Sequence, residues 1–184
     1  MKSKMHTSGR NPNYWMVDVH SKRDYQTAKL YLTPDGKSGV AITKDGNITS
    51  LFNGSNERGR LAKLLTFAVA SGGRKLDCFA GGLQNMYARY GAKAIAQTPF
   101  DWRYAPKGAT EAHPVVAMIL PKTVGGVISA YKRNAARGGS SVAMSRVPEY
   151  PDYDSMIAAR DNALARRDGM SVANMLRTAL GGSN

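Results

Sequence analysis

Residues 75–91 read KLDCFAGGLQNMYARYG, and this stretch decides the expected fold because two periodicities meet in it. Its first five residues, KLDCF, are a short apolar run of strand length that is followed by a loop with a double glycine. From residue 82 onward apolar side chains recur at helical spacing and end at Tyr-Gly, which is typical of a helix with a glycine C-cap. The stretch therefore predicts a strand, a tight loop and a helix.

Upstream of it, strand-like runs separated by turn signals lead into an amphipathic helix. Thr-Pro-Asp-Gly (33–36) and Lys-Asp-Gly-Asn (44–47) favour tight hairpins, because Asp and Gly readily supply the positive φ angles of such turns. Apolar residues at helical spacing predict a helix over 57–71, with Gly72 and Gly73 as its C-cap. The strands predicted in this part are 14–20, 29–33, 39–43 and 48–52.

Downstream, strands are predicted at 93–98 and 115–120, and helices within 123–139 and at 152–167 and 171–180. This order predicts an α/β fold of the α+β kind, in which helices flank a mixed, mostly antiparallel twisted sheet. Residues 1–13 are expected to form a flexible basic arm, residues 14–121 the sheet-bearing domain, and residues 122–184 a C-terminal helical extension.

The composition predicts a soluble protein with an anionic partner. Lys and Arg number 26 against 13 Asp and Glu, which gives a net charge of +13, and residues 122–148 contain no acidic side chain. Such a surface attracts polyanions, namely nucleic acid, phosphorylated cofactors or acidic proteins, although a plain solubility charge is the alternative.

Other bulk features predict what the protein lacks. No run of 18 apolar residues is present, and the N-terminus has no apolar secretory segment. The single cysteine and three scattered histidines show no metal-ligand spacing. We therefore expect a cytoplasmic protein with no membrane span and no metal.

The order of elements from 48 to 120 is similar to that of the GNAT superfamily of acyl-CoA-dependent N-acyltransferases. NMYARYGAKAIAQTPF (85–100) resembles the family's signature of Y-x-x-x-G-F followed by a strand, with Tyr87 and Gly91 in place. More narrowly, the pattern G-G-x-K-L-D-C-F-x-G-x-L-x-x-x-Y-x-x-x-G resembles GNAT-like proteins encoded by bacteriophages and mobile elements. The resemblance covers 48–120 well and 14–47 loosely, and it does not extend to 122–184. Residues 14–121 are thus expected to be a GNAT-like domain.

The resemblance implies an acetyl-CoA site at the N-terminus of the helix predicted over 57–71. The family holds the cofactor's pyrophosphate on backbone N–H groups of a Q/R-x-x-G-x-G/A turn, where glycine permits close approach and the helix dipole favours an anion. Here the turn reads NGSNERGRLA (53–62), with Leu61 at the last small position and Glu57 unfavourably close to a phosphate. An ordinary N-capped helix is the alternative. The cofactor-binding residues implied are Gly54, Ser55, Asn56, Arg58, Gly59 and Arg60.

The resemblance also implies a proton donor for the leaving thiolate, and Tyr87 stands at the matching position. Tyr87 is equally consistent with a core aromatic, because it shares a helical face with Leu83 and Met86. Tyr90 is the fallback candidate for the same role.

Asp77 is the second catalytic candidate. It is expected on the face of the strand opposite Cys78, where it would orient substrate or tie down the loop at residues 81–82. Cys78 itself is expected to pack as a small buried hydrophobe. His113 has a weaker claim as a general base.

Two functions follow from these expectations, and whether the protein is an enzyme stays open between them. The first is a GNAT-like N-acyltransferase, phage-encoded and active in the host cytoplasm, that transfers acetyl from acetyl-CoA to an amine on an anionic macromolecule. The second is a catalytically inactive GNAT-fold protein of a phage virion, structural or internal, that serves as a docking or nucleic-acid-associated module. A plain nucleic-acid-binding protein is a third reading. Basic residues in 122–146 would contact nucleic acid or an acidic protein, and the C-terminal helices an oligomeric or virion partner.

Overall fold

A computed structural model describes residues 24–55, 57, 59–104 and 111–169 of the chain. Within them the fold is α+β, with two three-stranded antiparallel sheets and four α-helices. In chain order the elements are β1 (Ala28–Leu32), β2 (Ser38–Thr43), β3 (Ile48–Asn53), α1 (Arg60–Ala70), β4 (Lys75–Phe79), α2 (Gly82–Arg89), β5 (Lys93–Thr98), β6 (Val115–Ile119), α3 (Val124–Ala136) and α4 (Tyr153–Arg167). The predicted arm 1–13, strand 14–20 and helix 171–180 lie outside the described residues.

The first sheet is an antiparallel meander in the order β1-β2-β3. Its two hairpins turn at Gly36 and Gly46, whose φ angles are 63° and 81°. Glycine adopts such angles without strain, and both hairpin predictions are confirmed. The strands predicted at 29–33, 39–43 and 48–52 are confirmed to within one residue at each end.

The second sheet has the order β4-β6-β5, with the last strand in the chain at its centre. Because β6 pairs antiparallel with both neighbours, β4 and β5 run parallel to each other and are joined by α2. The central strand is covered on both faces and is buried from Val116 to Ile119, which explains the continuous apolar run of β6.

The sequence predicts a single mixed sheet, whereas the described residues form two sheets that meet at one point. A parallel bridge joins Asn47 to Lys75, and the Gly46 carbonyl accepts hydrogen bonds from the N–H groups of Arg74 (2.8 Å) and Lys75 (3.3 Å). Gly46 permits this approach, since a Cβ there would lie 2.7 Å from the Gly72 carbonyl oxygen. The α+β class is therefore confirmed, while the sheet is divided where β3 and β4 separate.

The helices cover both faces of the second sheet, and α1 also packs on the first. Helices α1, α2 and α3 enclose the main core, which includes Leu65, Leu76 and Met118. Helix α4 packs on the opposite face, where Met156 lies against Ala96 and Ala117 of the second sheet. The two helices that the structure describes after residue 122, α3 and α4, therefore pack on the same body as the strands.

The helix predicted over 57–71 begins later, at Arg60. Gly59 precedes it in the left-handed region, with a φ angle of 78°, and this conformation cannot belong to a right-handed helix. The predicted helix at 152–167 is confirmed as α4, Tyr153–Arg167. It begins there because the Asp152 side chain caps it by accepting a hydrogen bond from the Ser155 N–H at 2.8 Å.

A buried ion network fastens α4 to both sheets. Lys75 is only 5% exposed, and its Nζ lies 2.7 Å from Asp45 Oδ2 and 2.9 Å from Asp161 Oδ2. Arg160 is buried too, and its Nε lies 2.9 Å from Asp161 Oδ1 while its Nη1 donates to Asn47 Oδ1 at 3.2 Å. The network joins α4 to the start of β4 and to the β2–β3 turn.

Candidate functional site

The candidate site lies at the edge where β3, β4 and β5 end, which we call the carboxyl edge. Strands β3 and β4 run parallel and are linked by α1, yet beyond Asn47 and Lys75 no further pairing between them is found in the described residues. The two strands therefore part towards Asn53 and Phe79. Ligands of open α/β sheets commonly bind in a crevice at this end of the strands.

The turn between β3 and α1 is held by its own hydrogen bonds. The Gly54 N–H donates to the Lys37 carbonyl at 2.8 Å, and a Cβ on Gly54 would lie 2.8 Å from that oxygen. Ser55 donates to Asn53 Oδ1 from its N–H at 3.1 Å and from its hydroxyl at 2.8 Å. Gly54 and Ser55, two of the predicted cofactor ligands, therefore already use their N–H groups to shape the turn.

The N-terminus of α1 has no side-chain cap. Gly59 stands at the N-cap, and a Cβ on it would meet no atom of the described residues within 4 Å. The Arg60 N–H donates to the Glu57 carbonyl at 3.4 Å, whereas the next first-turn N–H groups have no acceptor within their own helix and can receive an anion. Of the other predicted ligands, Asn56 and Arg58 lie outside the described residues.

The charged side chains that the structure describes around this N-terminus pair with one another. Arg60 donates from Nη2 to Glu57 Oε2 at 2.6 Å and from Nη1 to Asp35 Oδ2 at 3.0 Å, and Lys63 Nζ lies 2.8 Å from Glu57 Oε1. Two acids and two bases form what we call the α1 ion cluster. Hydrogen bonds from the Thr33 hydroxyl and the Lys37 N–H, with the charge of Arg60, lower the pKa of Asp35 to about 2. Hydrogen bonds from Lys63 and Arg60 lower the pKa of Glu57, so both acids are ionised near neutrality.

A groove of about 830 Å³ leads away from the α1 ion cluster between β1 and α1. Its apolar part includes Leu32 and Phe67, which are exposed, and its charged end is the α1 ion cluster. The volume falls within the range of small-molecule sites.

Tyr87 lies in the main core rather than on the surface of α2. It is 7% exposed, and burial raises the pKa of its phenol well above the usual value, with the charges of Cys78 and Asp77 acting in the same direction. Cys78 packs beside it, with its Sγ 4.0 Å from Met118 Sδ. Burial, and next the charge of Asp77, raises the pKa of the Cys78 thiol to about 12, so the thiol stays protonated and is a poor nucleophile.

Asp77 faces the other way, towards α4. Its Oδ2 accepts a hydrogen bond from the Tyr153 hydroxyl at 3.2 Å, and its Oδ1 lies 3.7 Å from Arg160 Nη1. The structure therefore places the two predicted catalytic residues on opposite faces of β4 and does not bring them together.

The carboxyl edge also carries aromatic residues that the sequence analysis did not single out. Phe79 ends β4 and lies 5.8 Å, centroid to centroid, from Phe100, which is 4.8 Å from the exposed ring of Trp102. His113 precedes β6 at the same edge, with Nε2 3.1 Å from Glu111 Oε2. Aromatic residues in the polar segment 99–104 were the available signal in the sequence.

Comparison with known proteins leaves the family undecided. No protein-family model matches the chain, and no curated protein matches it. Among the described residues there is no group of three His, Cys, Asp or Glu side chains arranged to hold a metal ion. The helices found in that part of the chain are all too short or too polar to cross a bilayer.

Proposed function

We propose that this chain is a GNAT-type N-acyltransferase that transfers acetyl from acetyl-CoA to an amine on an anionic macromolecule. The observation that carries the proposal is the unit formed by β3, α1 and β4. Within the described residues its parallel strands pair at Asn47 and Lys75 alone, and they part at their carboxyl ends, where the N-terminus of α1 lies. The resemblance of residues 48–120 to the superfamily covers this same unit.

The arrangement of the strands adds support. The first sheet reaches the second through the single bridge at Asn47, which gives the spatial order β1-β2-β3 and then β4-β6-β5. Two parallel strands that part at the centre of such an arrangement leave backbone groups of both strands facing the gap. An elongated ligand with amide groups can hydrogen-bond to such free strand edges.

The backbone at the α1 N-terminus suits a pyrophosphate, but the charged side chains around it suit one only in part. The uncapped first turn and the open space at Gly59 suit an anion. Glu57 opposes it, because its carboxylate holds both Arg60 and Lys63. Binding therefore requires these cations to turn from Glu57 to the phosphate, and we expect a weak affinity.

The chain's own residues have two tasks in this proposal, while bound acetyl-CoA supplies the activated acyl group. Tyr87 would hold a proton at its phenol oxygen for the departing sulfur, and the phenolate left behind would take up the proton that the amine loses. The raised pKa keeps the phenol protonated at neutral pH. The same shift makes the phenol a weak acid, so we expect its contribution near the lower end of the usual 10²- to 10⁴-fold range, at about 10². Asp77 acts by position, since it holds Arg160 and Tyr153 of α4 against β4.

A second function is favoured by the α1 ion cluster. Asp35 and Glu57 neutralise Arg60 and Lys63, so these cations already have the negatively charged partners that a bound phosphate would supply. A GNAT-fold docking module without catalysis, as in a phage virion, would keep such a cluster permanently.

Thermal unfolding with and without acetyl-CoA separates the two functions. A dissociation constant of about 100 μM predicts about 1.4 kcal/mol of stabilisation at about 1 mM ligand. For a domain of this size that is a rise in Tm of about 3 to 6 °C. Sodium chloride at matched ionic strength controls for general anion effects. No rise in Tm with acetyl-CoA beyond that of the matched salt would refute the enzyme and leave the docking module.

A further inference from the structure

The solvent-facing side of α3 forms a cationic surface together with the end of α2. We call it the α2–α3 surface, and its members are Arg89, Tyr131, Lys132, Arg133 and Arg137. All five side chains are exposed, with 42% of Tyr131 accessible to solvent.

The backbone that carries this surface is fixed by specific contacts. Asn134 Nδ2 donates to the carbonyls of Ala88 at 3.2 Å and Arg89 at 3.0 Å, which ties the end of α2 to α3. Gly91, with a φ angle of 89°, lets the chain pass so closely that a Cβ there would lie 2.6 Å from the Cβ of Ala130. The C-terminal ends of the two helices therefore lie side by side.

These contacts bring the charges of two helices together. Arg89 Nη2 would lie 3.7 Å from a Cβ on Gly139, just past the end of α3, which places its guanidinium close to the turn that holds Arg137. Arg133 lies one helical turn before Arg137 on α3.

The charge of the α2–α3 surface is largely uncompensated. None of its four cations lies within 4.0 Å of a carboxylate of the described residues, because every ion pair found there uses other cations. Each of the two helix ends contributes about half a negative charge. Four cations against two helix ends leave about three positive charges for a partner.

An aromatic pair is formed by Tyr90, which follows Arg89 in the chain, and Tyr131, which precedes Lys132. The rings of Tyr90 and Tyr131 stack with their centroids 5.2 Å apart and an angle of 9° between their planes. Tyr131 keeps part of its ring in solvent, where it can contact a planar group.

We propose that the α2–α3 surface binds the phosphodiester backbone of nucleic acid. Guanidinium groups pair with phosphate through two parallel hydrogen bonds. The exposed Tyr131, next to Lys132 in the chain, provides a surface for a base or sugar. An acidic protein would use the charges but not the ring, so nucleic acid is the better match. The surface lies outside the proposed acyl-transfer site, and its binding is measured without acetyl-CoA, so either proposal can fail alone.

The test compares two triple variants that lose the same charge. One is Lys132→Gln/Arg133→Gln/Arg137→Gln, and the control is Lys29→Gln/Lys37→Gln/Lys44→Gln, whose exposed lysines lie on the first sheet and its turns. Fluorescence anisotropy measures binding to labelled oligonucleotides, one single-stranded and one duplex. Each phosphate contact to a single strand releases about 0.7 counterions, so binding through more contacts weakens more steeply as salt is added. Between about 50 and 200 mM salt, the dissociation constant of the wild type should therefore rise about 18-fold more than that of the surface variant, which lacks three contacts.

The outcomes are distinguishable. The control should keep the wild-type salt dependence, and circular dichroism should show that both variants are folded. Tyr131→Ala should weaken binding of the single strand more than that of the duplex, because a paired base is not free to stack. Equal losses in the two triple variants, or displacement of the oligonucleotide by polyglutamate at equal charge concentration, would overturn the proposal, the second result in favour of an acidic protein partner.

Discussion

The buried ion network predicts an asymmetry between removing its central cation and removing the acids around it. Lys75 is 5% exposed, whereas the side chains of its partners Asp45 and Asp161 are 63% and 40% exposed. If Lys75 is replaced by Met, water can solvate both carboxylates, and the burial of an ammonium group is no longer needed. We expect Lys75→Met to lower the free energy of unfolding by only about 1 kcal/mol.

The converse change leaves the buried charge of Lys75 without a counterion and takes from the buried Arg160 the nearer of its two carboxylate partners, Asp161. Asp45→Asn/Asp161→Asn removes both carboxylates while Lys75 stays under α4, and breaking a buried pair in this way costs about 3 to 5 kcal/mol. The amide oxygens that remain still accept hydrogen bonds from the ammonium group, so we expect a loss of about 3 kcal/mol, at the lower end of that range.

Chemical and thermal unfolding followed by circular dichroism measures both losses. At about 2 to 4 °C per kcal/mol, we expect Tm to fall by about 6 to 12 °C in the double variant and about 2 to 4 °C in Lys75→Met. Glu149→Gln/Asp168→Asn removes two acids from exposed positions and should lower Tm no more than Lys75→Met does. A larger fall in Tm for Lys75→Met than for Asp45→Asn/Asp161→Asn would refute the reasoning. The burial of the remaining charge would then not determine how much stability each variant loses.

Three further predictions concern acid, the α1 ion cluster and Tyr87. Partial burial raises the pKa of Asp45, but hydrogen bonds from Lys75 and Thr43 outweigh it and bring the pKa to about 2. The stabilisation by ionised Asp45 is present above pH about 4 and is lost as the pH falls towards about 2. In an acid titration, the stability advantage of wild type over Lys75→Met should therefore shrink and then reverse between these two pH values. Glu57→Gln frees Lys63 and leaves Arg60 paired with Asp35, and calorimetry should show acetyl-CoA binding about fivefold tighter, with Asp168→Asn as an unchanged control. Tyr87→Phe should lower kcat about 10²-fold with an unchanged KM for acetyl-CoA, whereas Tyr90→Phe should have little effect; an unchanged kcat in Tyr87→Phe would leave it as a core residue only.

Local sequence patterns predicted the elements because their causes are local. The Asp-Gly turns fix the β1–β2 and β2–β3 hairpins, and the helical spacing before Gly72 fixes the end of α1. The start of α1 was predicted three residues too early. The spacing of apolar residues does not indicate that Gly59 adopts the left-handed conformation that precedes the helix. The strand–loop–helix of KLDCFAGGLQNMYARYG is found as β4 and α2.

The candidate site could be predicted only in part, because its charges are set by residues far apart in the chain. Arg60 pairs with Asp35, 25 positions away, and Lys75 pairs with Asp161, 86 positions away. Nothing in NGSNERGRLA indicates the first pairing. A signal existed for the second, since Lys75 opens an otherwise apolar strand and Arg160 follows the buried Met156 by one helical turn.

Amide hydrogen exchange with and without acetyl-CoA tests the central claim most directly, because it reports where a ligand binds. If the cleft between β3 and β4 receives the cofactor, protection should rise in peptides covering residues 59–63 and the ends of β3 and β4, while α4 and the α2–α3 surface stay unchanged. Glu57→Gln should enlarge the effect at 59–63 at the same ligand concentration. Protection that appears only on the α2–α3 surface, or no change anywhere at about 1 mM acetyl-CoA, would contradict the account.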